Sequence, residues 1–217
     1  MAESAVVESS DVEPVDRRVS PAAHLGERFA AAEVTGARGV SLRELPFQTM
    51  IGLRVVPGSE VASRVETQLG TSLPSSCGSV SRGEGLAVLW LAPDEFLVVA
   101  EADPAALTSS LAAAVAEGPG SATDLSANRT TFELTGPSAR EVLEKGCALD
   151  LHPRAFADGS AYVTTLGPVP VIIWKTTLPT GQESGESYRI LPRSSFADFL
   201  GRWLLDAMVE YRAPELS

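Results

Sequence analysis

From Val40 onwards, apolar positions alternate or recur at helical spacing, and they divide the chain into strands and helices. The run "LPFQTMIGLRVV" predicts extended chain leading into a strand that ends at Pro57. Ser59 then predicts a helix N-cap, and Gly70 predicts the C-cap of the same helix. The apolar face of that helix consists of Val61, Val65 and Leu69.

The next passage predicts a hairpin and a second helix. In "LAVLWLAPDEFLVVA", two apolar strands flank a turn at Pro93 and Asp94. The Gly- and Ser-rich "GSVSRGEG" before them predicts a surface loop. Asp103 and Pro104 supply an N-cap and a proline at the first helical position. One face of the helix that they open carries Leu107, Leu111 and Val115.

After a break at "EGPGS", the same order of elements returns. "RTTFEL" predicts a strand, "TGPSAREVLEKGC" predicts a turn and a helix, and three further strands are predicted at "AYVTTL", "VPVIIWKTT" and "SYRILP". The final helix has the most regular amphipathic stripe in the chain. Its apolar positions are Phe196, Phe199, Leu200, Trp203, Leu204, Ala207, Met208 and Tyr211.

Two passages, "LRVVPGSEVASRVETQLGTSLP" and "FELTGPSAREVLEKGCALDLHP", share the order strand, Pro/Gly turn with Ser, helix and proline-containing exit. We therefore predict an α+β fold of two related halves, each a mainly antiparallel sheet with helices on one face. The predicted boundaries are 41–120 for the first half and 121–217 for the second, and the halves form one compact unit. Residues 1–40 are predicted to be an extended or disordered N-terminal arm, with a short helix near "HLGERFAAAEV" that orders against a partner.

Composition and charge exclude several classes of protein. A chain of 217 residues with 44% hydrophobic residues can fold by packing alone, and it has no apolar run approaching the roughly 20 residues of a membrane span. The net charge of −11 and the absence of a cationic stripe exclude nucleic acid as a partner. The polar, acidic start differs from a secretory signal, so we expect a cytoplasmic protein in which Cys77 and Cys147 are free thiols.

The stretch "EKGCALDLHP" brings Cys147, Asp150 and His152 within six positions of the sequence. Cys147 continues the apolar stripe of its predicted helix, whose C-terminus disfavours a thiolate, so packing is the favoured role. Asp150 suits an Asx turn, and His152 precedes a proline and is extended. The spacings differ from those of zinc ligands, so no metal site is predicted.

The remaining candidates also favour structural roles. Asp94 and Glu95 fit a solvated turn better than an acid/base pair, and His24 lies in the predicted arm. "GSVSRGEG" lacks the Rossmann spacing and the Walker lysine, so a phosphate loop is disfavoured. The residues therefore predict no catalytic, cofactor-binding or metal-binding site in this chain.

Within "DLSANRTTFELTGPSAREVLEKGCALDLHP", the order Asp-Leu-Ser, strand, Gly-Pro-Ser-Ala, helix and Asp-Leu resembles the aminomethyltransferase (T-protein) superfamily of folate-binding folds. More narrowly, "KGCALDLHPRAF" and "YRILPRSSFADFLGRWLLDA" resemble the gamma-subunit family of heterotetrameric sarcosine oxidases. The resemblance runs from about Leu42 to Met208. Asp124, Leu125 and Ser126 match the superfamily's Asp-Leu-Ser, whose role there is structural, and no catalytic residue transfers.

The gamma-subunit resemblance implies partners and cofactors. It implies alpha, beta and delta chains, with FAD, FMN, NAD and zinc on those other subunits and none on this one. The complex would oxidise sarcosine to glycine, reduce oxygen to hydrogen peroxide and pass the one-carbon unit to tetrahydrofolate as 5,10-methylenetetrahydrofolate.

Two hypotheses follow. The first is a non-catalytic subunit with a structural or assembly role, for which exposed aromatic residues such as Trp174, Phe47 or Trp203 are candidate interface anchors, although core burial is favoured for Trp203 on its stripe. The second is a stand-alone folate-binding protein, either a one-carbon transferase or a T-protein relative of the iron-sulfur-assembly kind. Lys145 to Cys147 motivate the second hypothesis, although Ala148, Leu149 and Asp150 replace the aromatic residue and Gly-Gln pair of those relatives.

Overall fold

The computed structural model describes residues 18–178 and 184–212. Its strands are β1 (Ser41–Leu45), β2 (Thr49–Val55), β3 (Val80–Gly83), β4 (Leu86–Ala92), β5 (Glu95–Ala100), β6 (Gly120–Asp124), β7 (Thr131–Gly136), β8 (Ala161–Leu166), β9 (Val169–Thr176) and β10 (Glu186–Pro192). Its helices are α1 (Gly26–Ala32), α2 (Glu60–Leu69), α3 (Pro104–Val115), α4 (Ala139–Glu144) and α5 (Ala197–Ala207), with 3₁₀ turns at Ala23–Leu25, Ser194–Phe196 and Val209–Arg212.

The strands form two five-stranded antiparallel sheets related by an internal repeat. The first sheet has the order β3-β4-β5-β2-β6 and the second has the order β1-β7-β10-β9-β8. The units β2-α2 and β7-α4 occupy equivalent places, so the repeat predicted from the sequence is confirmed. In the first half, β6 follows α3 and pairs with β2. The equivalent place in the second sheet is taken by β1, which pairs with β7 from Ser41↔Thr135 to Leu45↔Thr131.

This exchange corrects the predicted boundaries. Residues 41–45 were assigned to the first half but lie in the second sheet, whereas β6, most of which falls within 121–217, lies in the first sheet. A single sequence shows which residues form a strand but not which distant strand they pair with, because the pairing depends on long-range contacts.

Each sheet carries helices on its outer face, and the two inner faces pack on each other. Helices α2 and α3 cover the first sheet through a cluster that includes Leu53, Val65, Phe96 and Leu111. A larger cluster places α1, α4 and α5 against the second sheet. Between the sheets lie Met50, Ala87, Leu89, Leu97, Val99, Ala161, Ile172, Trp174 and Leu191.

The helix caps and the hairpin follow the sequence. The Ser59 side chain accepts a hydrogen bond from the Ala62 N–H, and Gly70 ends α2 in the left-handed region at φ 65°. The Asp103 side chain accepts from the Ala106 N–H, with Pro104 as the first residue of α3. Strands β4 and β5 pair around Pro93 and Asp94. These local signals are reliable because each satisfies a backbone group at a helix end or fixes a turn.

Two expectations are wrong in the described residues. Residues 18–40 are not a free arm: Leu25 and Phe29 are buried in the second half's core, and Val34 and Val40 form a β-bridge. The arm residues 1–17 lie outside the described residues. The "GSVSRGEG" segment contains β3, whose pairing with β4 its polar side chains did not indicate.

Candidate functional site: the Phe47 cleft

An open cleft of about 590 Å³ lies beside the β1–β2 turn, where the ends of the two sheets meet. We call it the Phe47 cleft. Its lining comes from the first described residues, the β1–β2 turn, the segment after β5, the segment between β6 and β7, and the start of the 3₁₀ turn Ser194–Phe196. The lining residues are Arg18, Val19, Pro21, Phe47, Thr49, Glu101, Ala102, Asp103, Pro104, Asp124, Ser126, Ala127, Arg129, Thr130 and Ser194.

Phe47 is exposed and its backbone is strained. Its φ is 56°, and it is the one non-glycine residue with positive φ in the described ranges. A bulky aromatic residue in the left-handed region costs about 1–2 kcal/mol, and such strain is concentrated at functional sites. The ring remains 47% exposed, and the guanidinium of Arg18 lies 4.8 Å from its centroid. The fold therefore holds an aromatic side chain at the surface at an energetic cost.

The Asp-Leu-Ser segment builds one wall of the cleft through hydrogen bonds. The Asp124 carboxylate accepts from the Ser126 N–H at 2.9 Å and from the Ser126 hydroxyl at 2.6 Å. The Ser126 hydroxyl oxygen in turn accepts from the Met50 N–H at 3.1 Å, and the Leu125 N–H donates to the Met50 carbonyl. These bonds fasten the end of β6 to β2, which is a structural use of the motif.

The cleft has mixed charge, and the Ser126 hydroxyl, which lies next to a carboxylate, is held by the Met50 N–H as well as by Asp124. Arg18 and Arg129 face Glu101, Asp103 and Asp124 across it. Burial, together with the nearby Arg193, lowers the pKa of Arg129, whose guanidinium donates to the Leu191 carbonyl at 3.0 Å. Such a surface suits contact with another chain better than acid/base chemistry.

The structure does not assemble Cys147, Asp150 and His152 into a site. Helix α4 ends at Glu144, and Cys147 instead forms a bridge with Leu166 and packs against the second half's core. Partial burial raises the pKa of the Cys147 thiol, which disfavours the reactive thiolate. Asp150 accepts from the His152 N–H at 2.9 Å in an Asx turn, as its position predicted.

The other candidates are also placed in structural roles. The His24 ring nitrogen lies 2.6 Å from the Asp198 carboxylate, which links the start of the chain to α5. His24 and Arg202 lower the pKa of Asp198. Glu95 pairs with Arg54 at 3.1 Å on the surface. No group of three or more metal-ligating side chains comes together in residues 18–178 and 184–212.

The predicted anchors behave differently from one another. Trp174 is 3% exposed and lies between the sheets, so the prediction that it is an exposed anchor is wrong. Trp203 is half-buried against the core of the second half. Phe47 is exposed, so of the three it alone is available as an interface anchor.

Sequence reasoning missed a buried lysine, paired with two less buried carboxylates, at the margin of the second sheet. The side chain of Lys175 is 5% exposed, and its ammonium lies 2.6 Å from Glu186 and 3.0 Å from Asp158. Burial alone would lower the pKa of Lys175, but the hydrogen bonds and charges of these two carboxylates outweigh it and raise the pKa. The available signal was a lysine between a tryptophan and a threonine in an otherwise apolar strand.

Lys175→Met is expected to cost about 2 kcal/mol at pH 7, less than the usual loss for breaking a buried pair, because Arg140 stays 3.6 Å from Glu186. In the wild type the raised pKa keeps Lys175 protonated in the folded state above the ordinary lysine pKa of about 10.4. In the unfolded chain the same side chain releases its proton at that pH. The stability from Lys175 is therefore complete below that pH and is lost above it. Urea unfolding at pH 8, 10 and 11 measures this loss.

The comparison variant is Tyr188→Phe. Burial also raises the pKa of Tyr188, so this residue adds a loss of stability at alkaline pH of the same sign. The free energy of unfolding falls with pH in the alkaline range. Lys175→Met should remove one part of this fall, and Tyr188→Phe should remove another. An unchanged slope in Lys175→Met would contradict the assignment.

The two-sheet fold also occurs in other proteins. A solved aminomethyltransferase T of the glycine cleavage system from Bartonella henselae superposes with a TM-score of 0.60 at 17% identity, over 85% of this chain and 56% of that one. A chain of the heterotetrameric sarcosine oxidase from Corynebacterium sp. U-96, solved with pyrrole 2-carboxylate, superposes with a TM-score of 0.84 at 47% identity. That match covers 92% of this chain and 99% of the other.

The sequence relatives agree with the structural match. A protein named sarcosine oxidase subunit gamma from Corynebacterium sp. (strain U-96) is 44% identical over 218 residues, which is 100% of both chains. A second protein of that name, from Arthrobacter sp., is 43% identical over the same extent. The family described as "Sarcosine oxidase, gamma subunit family" matches residues 56–210.

The two packed sheets, each built from a β-α-β-β-β-α repeat with a fifth strand at the edge, define a protein of the T-protein-like fold class, here with an exposed aromatic cleft. Within that class, this chain belongs to the sarcosine oxidase gamma subunit family. In the described residues no helix has the length and apolarity that crossing a membrane requires.

Proposed function

We propose that this chain is the gamma subunit of a cytoplasmic heterotetrameric sarcosine oxidase, with alpha, beta and delta chains as partners. The chain has a structural or assembly role and performs no chemistry of its own. The observation that carries the proposal is similarity over whole chains. This chain superposes on a chain of a solved heterotetramer with a TM-score of 0.84, and the match covers 99% of that chain.

The proposed complex oxidises sarcosine to glycine with oxygen as acceptor, and forms hydrogen peroxide and 5,10-methylenetetrahydrofolate. FAD, FMN, NAD and zinc belong to the other subunits in this proposal. The pairing of Cys147 with a core strand, and the use of Asp124 and Ser126 to join β6 to β2, support a chain whose distinctive residues stabilise shape.

The hypothesis of a stand-alone folate-binding protein is less well supported than the hypothesis of a subunit. Its structural basis is the likeness to aminomethyltransferase T at 17% identity, which concerns the fold alone. The relatives that match the full chain are named as subunits.

The first test is co-expression of the tagged chain with the three partner chains, followed by native mass determination and a flavin absorption spectrum. We expect a yellow assembly of four chains that consumes sarcosine, from which this chain separates without colour. A monodisperse lone chain that recruits no partner and binds tetrahydrofolate with one-to-one heat would overturn the proposal.

Phe47→Asn tests the Phe47 cleft as part of the contact surface. Asparagine tolerates the left-handed region, so relief of strain should offset the lost contact with Arg18 and leave the stability of the chain within about 1 kcal/mol. Affinity for the partner chains should fall about tenfold or more, as for a truncated aromatic anchor.

The matched control is Val163→Thr, which replaces an exposed apolar residue on β8, 57% exposed, with a polar one of equal size. It should leave assembly unchanged. Equal affinities for wild type and Phe47→Asn would mean that the Phe47 cleft lies outside the interface.

A further inference from the structure

A second cleft, of about 390 Å³, opens between the inner faces of the two sheets. We call it the intersheet cleft. Its polar lining includes Arg82 from β3, Trp174 from β9, Arg189 from β10 and Glu101 after β5, together with Gln48. The two arginines therefore come from different sheets and converge on one indole ring.

The geometry around Trp174 is that of an aromatic ring under two guanidinium groups. The Arg82 guanidinium carbon lies 5.4 Å from the ring centroid, and that of Arg189 lies 5.2 Å from it. Trp174 is 3% exposed, yet its indole Nε1 has no hydrogen-bond acceptor among the described residues. A buried N–H without an acceptor costs about 1–3 kcal/mol, so a bound acceptor would recover this cost.

The charges in and beside the intersheet cleft leave it cationic in an otherwise acidic chain. Glu133 is paired closely with Arg43 and lies 4.0 Å from Arg189. Burial lowers the pKa of Arg189, and Arg82 and Arg43 lower it further, while Glu133 and Glu101 act in the opposite direction. Arg82 is exposed and forms no ion pair within the described part of the chain.

We propose that the intersheet cleft binds a carboxylate group, held between the guanidiniums of Arg82 and Arg189 with the Trp174 indole as a further donor. A planar carboxylate fits guanidinium donors in pairs, and the exposed Arg82 side chain can swing from the ring to admit it. The carboxylate comes either from a small free acid or from an acidic side chain of another subunit. The site itself is independent of the proposed function, and only the second source rests on it.

The first arm of the test uses glutarate as the probe and the purified full chain. The nitrogen-proton NMR signal of the Trp174 indole is identified by its loss in Trp174→Phe, which keeps an aromatic ring but removes the donor. We expect glutarate to shift this signal saturably, sodium chloride at equal ionic strength to leave it in place, and Arg82→Gln to weaken glutarate binding about tenfold.

Arg54→Gln is the matched control, because Arg54 is an exposed arginine paired with Glu95 and its loss changes the net charge equally. It should bind glutarate like the wild type. The second arm compares Arg82→Gln and Arg54→Gln in the co-expressed complex by measuring subunit affinity.

The two arms separate the sources. Glutarate binding that Arg82→Gln weakens about tenfold, with assembly unchanged, identifies a free acid. Assembly weakened about tenfold by Arg82→Gln but not by Arg54→Gln identifies an acidic side chain of a partner. An indole signal that glutarate leaves in place, together with equal assembly of the two variants, overturns the proposal.

Discussion

Gly136→Ala is expected to lower the free energy of unfolding by about 4 kcal/mol or more, one of the largest losses available in this chain. Gly136 ends β7 at φ 123°, a region that residues with a side chain rarely adopt. A β-carbon there would lie 2.9 Å from the carbonyl carbon of Gly39 and closer still to its oxygen. The obstacle is backbone, which cannot move aside as the end of a flexible side chain can.

The substitution would also disturb the pairing of β1 with β7. The Gly39 carbonyl accepts a hydrogen bond from the Ser138 N–H at 3.0 Å, two residues before β1 begins its pairing with β7. Displacing Gly39 therefore removes that bond and shifts the start of β1. Because β1 completes the second sheet, its loss exposes an edge of β7 as well.

Urea unfolding followed by circular dichroism measures the effect against two controls. Gly26→Ala in α1 has no atom within 4 Å of the new β-carbon and should be neutral or stabilising by up to about 1 kcal/mol. Gly159→Ala also meets no atom within 4 Å but has φ 82°, so it isolates backbone strain at about 1–2 kcal/mol. A loss for Gly136→Ala no larger than that of Gly159→Ala would show that the close approach to Gly39 is relieved without cost.

Local features of this fold could be read from the sequence because their causes are local. Ser59, Gly70 and Asp103 act within one turn of chain, and their capping roles were predicted correctly. The internal repeat was visible because β2-α2 and β7-α4 share the same order of turn and cap residues. The place of β1 was not visible, since nothing near residues 41–45 specifies β7, some ninety positions away, as its partner.

The candidate sites show the same limit. Phe47 was predicted as a possible anchor from its type, but its positive φ arises from the turn between strands of different sheets. The intersheet cleft was not predicted, because Arg82 and Arg189 lie on separate strands and meet only after the sheets pack. The sequence predicted Trp174 to be exposed, whereas packing of the two inner faces buries it.

Phe29→Ala is expected to cost about 3–5 kcal/mol, the usual range for removing a buried phenylalanine side chain. Phe29 is 3% exposed, and its ring meets that of Phe132 edge to face at 5.8 Å. Helix α1 has seven residues, which is too short to be stable in isolation. Its stability therefore depends on these tertiary contacts, and the truncation tests the correction of the predicted arm.

The contact also depends on α5, where a β-carbon on Gly201 would lie 2.7 Å from Leu25 and 3.1 Å from Phe29. This glycine lets α1 approach α5 closely enough to cover the second half's core. The matched control is Phe199→Ala on α5, whose side chain is 49% exposed and whose loss should change stability by about 0.5 kcal/mol or less. Equal urea midpoints for Phe29→Ala and wild type would mean that residues 18–32 detach in solution and order only against a partner, whereas the expected loss would make α1 part of the folded subunit before assembly.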